Sequence, residues 1–349
     1  TPTCGHRRRT RQGGWRSPRP LDSPDGRLRR PRRTTRRVSA TGASVTFPGT
    51  ELLEVAPDNY FAVGSGGGKV FAIGGGGYGA SGYAAIMDTT TGASLLYSIP
   101  VYYGALGISV HADYQAGKAW VASSSSWIAG NPCQFASITT SGVTWTSGTW
   151  GPAPYSGSYV LSVLACGDYI HGSATTGAAW SWGRLDQTTG TASTVSSGAF
   201  SDPPIKFAGA VGSTIYDSLG TTTLTAWNDK RDTPGSTWTL PFAPISAGVT
   251  VGTKIWWQAS TGMVSFDTAT NTPGGTAATP GTGYPSSGER PTVLGDVAYW
   301  IHSDNTKLVA FHLPTGQWKL DDLVTARAGR RGVGVGNGKL WIPSTVTPP

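Results

Sequence analysis

The feature that most constrains this chain is a recurrence. Seven times a glycine turn leads into a short run of strand formers. The runs open at Gly68-Lys69-Val70-Phe71, Gly117-Lys118-Ala119-Trp120, Gly167-Asp168-Tyr169-Ile170, Gly212-Ser213-Thr214-Ile215, Gly252-Thr253-Lys254-Ile255, Gly295-Asp296-Val297-Ala298 and Gly338-Lys339-Leu340-Trp341. Successive spacings are 49, 50, 45, 40, 43 and 43 residues. A β-rich unit of this period, with no helical pattern between copies, predicts an all-β fold, a seven-bladed β-propeller. Each marker is read as the tight turn between strands A and B of a blade. A second, polar turn follows and joins strand C to strand D: Asp88-Thr89-Thr90-Thr91-Gly92, Thr139-Thr140-Ser141-Gly142 and Asp186-Gln187-Thr188-Thr189-Gly190, with looser copies at Asp232, Asp267 and Leu313-Pro314-Thr315-Gly316. Asp and Thr side chains bond the backbone of such turns, and Gly accepts positive φ.

The seventh marker lies eleven residues from the end, so its blade lacks strands C and D. Ala40-Thr41-Gly42-Ala43-Ser44-Val45-Thr46-Phe47 aligns without gaps to Thr90-Thr91-Gly92-Ala93-Ser94-Leu95-Leu96-Tyr97. Residues 38–48 are therefore expected to complete the last blade and close the ring, which leaves no blade edge open at the seam.

This gives two regions, 1–37 and a single propeller domain, 38–349. The net charge of +8 is unevenly placed: residues 1–37 hold thirteen Arg, no Lys and two Asp, a net of +11, which leaves −3 for the rest. An Arg-, Pro- and Ser-rich stretch with few apolar residues cannot build a core and is expected to be disordered. It is either an arm that meets nucleic acid through phosphate contacts or a stretch foreign to the natural protein, since Arg without Lys is what out-of-frame GC-rich DNA encodes. No window has the apolar run of a signal peptide or a membrane span. Three cysteines, Cys4, Cys133 and Cys166, make no disulfide framework. Cys133 and Cys166 fall at opposite ends of their strands and are predicted not to be bridged.

In a propeller the A–B and C–D turns share one face, and the B–C and D–A loops share the other. Here the second set is long and irregular: 74–82, 101–106, 123–133, 150–158 and 272–291. Such loops mark the face that carries function. Their aromatics, Tyr78, Tyr102, Tyr103, Trp127, Trp150, Tyr155 and Tyr284, are the candidate binding residues. Aromatics on a weakly charged surface either stack on sugar rings and anchor protein partners or pack over the blade ends.

Catalytic signals are thin. A glycosidase needs two carboxylates converging on one site, and no spacing pairs Asp113, Asp202 and Asp304, which approach the varied face. Asp88, Asp186 and Asp267 read as turn caps. His111, His171, His302 and His312 form no metal-binding pattern, so neither metal nor cofactor is expected. There is no G-x-S-x-G elbow, and the glycine run 64–79 precedes no helix that would make it a phosphate loop.

The D-x-T-T-G turn with its following strand resembles the repeat of quinoprotein-like and YVTN-type propellers over residues 38–349. The resemblance implies the fold and no quinone cofactor. The Thr/Ser/Gly-rich blades, fourteen Trp and 13% charged residues resemble, more loosely, propeller-bearing minor tail proteins of phages infecting actinobacteria. That likeness implies a non-enzymatic virion or extracellular component whose partners are cell-surface glycan or neighbouring tail proteins, with self-assembly into an oligomer as a further expectation. The alternative is a secreted bacterial glycan-active hydrolase or lyase.

Overall fold

The computed structural model describes residues 50–55, 60–75, 82–91, 94–99, 118–123, 133–139, 141–146, 148–150, 159–175, 179–199, 206–280, 283–304, 306–323 and 330–345. Every regular element among them is a strand. In chain order these begin with β1 (Thr50–Val55), then β2 (Tyr60–Gly66), β3 (Lys69–Gly75), β4 (Gly82–Asp88) and β5 (Ser94–Ile99) of the first repeat. The second repeat contributes β6 (Ala119–Ser123), β7 (Gln134–Thr139) and β8 (Gly142–Trp145). The third holds β9 (Tyr159–Cys166), β10 (Tyr169–Thr175), β11 (Ala179–Asp186) and β12 (Thr191–Ala199). The fourth holds β13 (Gly209–Val211), β14 (Thr214–Asp217), β15 (Thr223–Asn228) and β16 (Pro234–Thr239). The fifth holds β17 (Val249–Val251), β18 (Lys254–Ala259), β19 (Gly262–Asp267) and β20 (Thr272–Ala277). The sixth holds β21 (Thr292–Leu294), β22 (Val297–Ile301), β23 (Lys307–His312) and β24 (Trp318–Asp322), and the last β25 (Arg330–Arg331), β26 (Gly334–Gly336) and β27 (Lys339–Thr345).

Five repeats form antiparallel meanders in sequence order: β2–β5, β9–β12, β13–β16, β17–β20 and β21–β24, with β25 added in parallel on β2. This is a β-propeller with five blades of four strands or more. The expected count of seven is not met at that size. The second repeat forms a three-stranded sheet, β6-β7-β8, and the last another, β1-β27-β26. The expected closing segment, 38–48, lies outside the described residues. What lies against β27 is β1, and it runs parallel, pairing Thr50 with Leu340 and Val55 with Thr345. A repeat copy of strand C would run antiparallel, so β1 is not a substitute of the expected kind.

The turn chemistry follows the sequence. The A–B turns place Gly68, Gly167, Gly212, Gly252, Gly295 and Gly338 at φ between 55° and 74°, where an L side chain is strained. In the C–D turns Asp88 Oδ1 accepts from the Thr90 and Thr91 amides, and Asp186 Oδ1 from those of Thr188 and Thr189. Asp267 Oδ1 accepts from the Ala269 amide. The turn at Thr139 is a plain β7–β8 hairpin.

The core sits between sheets. Inner strands are apolar on both sides, as in β19 with Met263, Val264 and Phe266 fully buried, because each face packs on a neighbouring blade. Outer strands such as β16 and β20 are more exposed and rich in Thr, Gly and Pro, with Trp238 of β16 packed back onto Phe266. Each junction has its own cluster. Tyr216 and Leu224 meet Ile255, Trp257 and Phe266 between the fourth and fifth sheets. Tyr299, Ile301 and Leu308 meet Leu340 and Ile342 between the sixth and last. The last sheet also reaches the first: the Val335 amide donates to Ser65 Oγ and Asn337 Nδ2 to the Thr89 carbonyl.

The junction of the second and third sheets is built around Trp150. Its backbone exchanges two 2.9 Å bonds with Cys133, and its indole stacks on Phe135 with centroids 5.2 Å apart. Underneath lie Gly172 and Gly183, direct partners across β10 and β11. A Cβ at either position would overlap the indole. Glycine inside a strand here marks close approach by another group.

Candidate functional site

Alternating strand direction puts the B–C and D–A connections on one face, and the described part of that face belongs to the fourth to sixth repeats. Its loops are held by side chains that rise from core strands. Gln258, fully buried on β18, accepts from the Ser287 amide through Oε1 and donates from Nε2 to the Glu289 carbonyl. Its own amide donates to Ser246 Oγ at 2.9 Å, and its carbonyl accepts from Ile245. Trp300 Nε1 donates to the Pro285 carbonyl at 3.0 Å, and Trp257 Nε1 to that of Phe207 at 2.8 Å. The loops 241–248 and 283–291 are thus fixed at several points to the strands beneath them.

Two of the seven candidate aromatics fall within the described residues. Tyr284 lies on this face but is folded into it. Its ring meets Trp300, Phe311 and Trp318 edge-on, and its hydroxyl donates to the Gly262 carbonyl at 3.1 Å. Burial holds that phenol well above the usual tyrosine range. Trp150 is 1% exposed and belongs to the core, so its indole offers a ligand no surface. Tyr78, Tyr102, Tyr103, Trp127 and Tyr155 lie outside the described residues, as do Asp113 and Asp202. The first six residues of the expected 272–291 loop are strand β20.

The ionisable groups of this face are engaged locally. In the 302–306 loop, His302 Nδ1 lies 3.1 Å from Asp304 Oδ2, while Asp304 Oδ1 accepts from the Thr306 amide at 2.8 Å. That backbone bond, with the histidine beside it, holds Asp304 down to about 2. In the 217–222 loop, Asp217 Oδ1 caps the Leu219 amide. Leu219 sits at φ 52° and is 45% exposed, an apolar tip held in a conformation unusual for it.

Asp217 also belongs to a network that the sequence reading missed. Its Oδ2 accepts from both Nε and Nη2 of Arg231, at 3.1 and 2.7 Å. Arg231 comes from the C–D turn at the opposite end of the fourth sheet. Its guanidinium lies between the indoles of Trp182, 5.2 Å, and Trp227, 4.6 Å. The third sheet grips the same turn: His171 Nε2 donates to the Asp229 carbonyl and Arg184 Nη1 to that of Lys230, both at 2.7 Å. Trp182 Nε1 donates to His171 Nδ1 at 3.2 Å. One signal pointed here. Asn228-Asp229-Lys230-Arg231-Asp232 puts four charged residues in five, in a chain only 13% charged.

Cys133 and Cys166 are both buried thiols. Burial pushes the Cys133 thiol up to about 12, and Cys166 Sγ donates to the Gly212 carbonyl. Among the described residues no group of His, Cys, Asp and Glu is placed to hold a metal ion, and no helix is long and apolar enough to cross a membrane.

No family model and no curated protein matches the sequence. Solved structures do. A chain of a mitotic checkpoint complex structure aligns with a TM-score of 0.53 at 9% identity, over 89% of this chain and 93% of that one. BamB from Moraxella catarrhalis aligns with a TM-score of 0.43 at 13% identity, over 80% and 81%. A computationally designed protein, Ika8, gives 0.44 at 11%, over 82% and 81%. At such identities the likeness is one of fold alone, and 1033 solved chains match, so the fold does not choose among functions.

Proposed function

We propose that this chain is a binding and structural propeller rather than an enzyme: a virion tail component that meets host-surface glycan or neighbouring tail proteins through its loop-rich face. One observation carries the reading. Core side chains, Gln258 and Trp300 above all, are spent on gripping loop backbone. A face held ready in this way loses little freedom when a partner docks. The Asp217 carboxylate is engaged on both oxygens, by the Leu219 amide and by Arg231, which also favours a non-catalytic face.

We further infer seven blades in a closed ring, with the N-terminal segment joining the last blade. The seven sheets, β1 lying on β27 and the bonds from Val335 and Asn337 to the first sheet support this reading. The second reading, a glycan-active hydrolase or lyase, is favoured by the His302–Asp304 pair on the loop-rich face.

The test is a glycan array with a pull-down on whole actinobacterial cells, using the full chain and its Trp127→Ala and Tyr155→Ala variants. Saturable binding weakened tenfold or more in either variant, with folding intact, supports host-surface recognition. Folded protein with no binding leaves the structural tail role, and release of reducing or unsaturated sugar ends from the same cells establishes the enzyme instead.

A further inference from the structure

One of the described A–B turns departs from the others. In the first, third, fourth, fifth and sixth repeats the first central position of the turn is glycine: Gly67, Gly167, Gly212, Gly252 and Gly295. All lie at positive φ, as a two-residue hairpin of this kind requires. The last repeat has Asn337 there, at φ 50°, followed by Gly338 at 68°, between the paired Gly336 and Lys339. Asn tolerates this conformation, but glycine holds it in five sister turns. The Asn337 side chain therefore answers to a need other than the turn.

Its Nδ2 donates to the Thr89 carbonyl of the first sheet at 3.3 Å. Two further contacts join the sheets here. The Val335 amide donates to Ser65 Oγ at 2.9 Å, and a Cβ at Gly336 would overlap the Thr89 side chain. Thr89 is itself fixed, since its amide and its hydroxyl both donate to the Gly68 carbonyl. Asn337 is thus the exposed member of a seam whose other parts, Ser65, Thr89, Val335 and Gly336, are buried or half-buried.

The same residue is chemically vulnerable. Of the six asparagines in the chain it is the one followed by glycine, and a glycine amide has no side chain beside it to hinder its approach. The Gly338 nitrogen attacks Asn337 Cγ, the bond from Cγ to Nδ2 breaks, and ammonia leaves with the proton from the Gly338 amide. Water then opens the cyclic imide at either carbonyl, to aspartate or isoaspartate.

We propose that Asn337-Gly338 is a spontaneous deamidation site whose conversion unfastens the last sheet from the first. While Nδ2 is held on Thr89 the ring cannot close, so the reaction waits on opening of the turn. Refolding does not reverse it. Aspartate has no N–H to give the Thr89 carbonyl. It also sets a second carboxylate beside the residue that follows Asp88, whose partner Lys69 is already engaged at 3.4 Å. Isoaspartate lengthens the main chain of a two-residue turn by a methylene. The seam loosens with time, in one direction.

Ageing the full chain in warm neutral buffer tests this by peptide mass spectrometry and hydrogen exchange. Asn337 should gain one mass unit before Asn228 or Asn271, and faster in urea than in native buffer. In the aged protein, and in Asn337→Asp, the opening constant of the Val335 amide should rise about tenfold, the weight of one hydrogen bond. The Thr268 amide, bonded to the Thr253 carbonyl in the fifth sheet, should change less than about twofold. Asn337→Gly keeps the turn and gains no charge, so it should show only about a threefold rise and no effect of ageing. Conversion of Asn337 no faster than that of Asn228 and Asn271 overturns the proposal. So does a Val335 amide that exchanges in Asn337→Asp as in the parent, or an equal rise at Val335 and Thr268. The ageing arm uses the unaltered chain, so it decides the matter where a variant does not fold.

Discussion

Replacing Gly183 with Ala tests the packing at the second junction. The added Cβ would overlap Cγ, Cδ2 and Cε3 of the Trp150 indole, and neither group has an easy retreat. Trp150 is stacked on Phe135 and tied by two backbone bonds to Cys133. Gly183 is bracketed in β11 by β10 and β12. Overpacking a tight core by a methyl costs about 1–3 kcal/mol. Expelling the indole forfeits what a Trp→Ala change forfeits, about 3–5 kcal/mol. The overlap is with ring atoms rather than a flexible chain end, so about 3 kcal/mol is expected for Gly183→Ala. Trp150→Ala should cost about 4 kcal/mol. The two must not add: once the indole is gone the methyl has room, so the double variant should match Trp150→Ala to within about 1 kcal/mol, a coupling of about 3 kcal/mol. Urea unfolding followed by far-UV circular dichroism measures all three. A loss below about 0.5 kcal/mol for Gly183→Ala, or simple additivity, would refute the cradle.

Four further outcomes follow from the described geometry. Asp217→Ala, which strands Arg231 between two indoles, should cost about 3–5 kcal/mol in the same assay, and Asp217→Asn should lie between it and the parent. Asp186→Ala removes the carboxylate oxygen that accepts from the Thr188 and Thr189 amides in an exposed turn and should cost only about 1 kcal/mol. The Asp304 carboxylate should titrate near pH 2 by NMR. Because its folded value lies below its ordinary one, its stabilising contribution is present above that ordinary value and fades as pH falls through the folded one. Cys133, buried with its thiol pushed up to about 12, should resist a thiol reagent at pH 8 in the folded protein and react within minutes once unfolded.

The turns were legible in the sequence because their chemistry is local. A glycine at positive φ and an aspartate capping two amides need only their neighbours. Blade completeness was not legible to the same degree, since it depends on which distant strand pairs at an edge. The parallel lie of β1 on β27 has no signature within Thr50–Val55. Exposure of loop aromatics was also misjudged where it can be seen. Trp150 and Tyr284 sit in polar, glycine-rich loop sequence, yet their environments come from elsewhere: two paired glycines in the next repeat for one, Trp300 and Phe311 for the other. The isolated Gly172 and Gly183 inside strand-forming runs were the available clue. His171 gave none, because its partners lie 11 and 58 positions away.

The way Gln258 and Trp300 hold the 283–291 loop bears on how this face can change over generations. Both take hold of main-chain atoms, the Ser287 amide and the Pro285 and Glu289 carbonyls. Every residue type carries a main-chain carbonyl, and every type but proline an amide N–H. The grip of Gln258 on this loop is therefore blind to the side chains at Ser287 and Glu289, whereas Gly288, at φ 70°, is held to glycine by the backbone. In the binding role proposed above, contacts made by the side chains at Ser287 and Glu289 are set apart from the main-chain bonds to Gln258 and Trp300 that hold the loop.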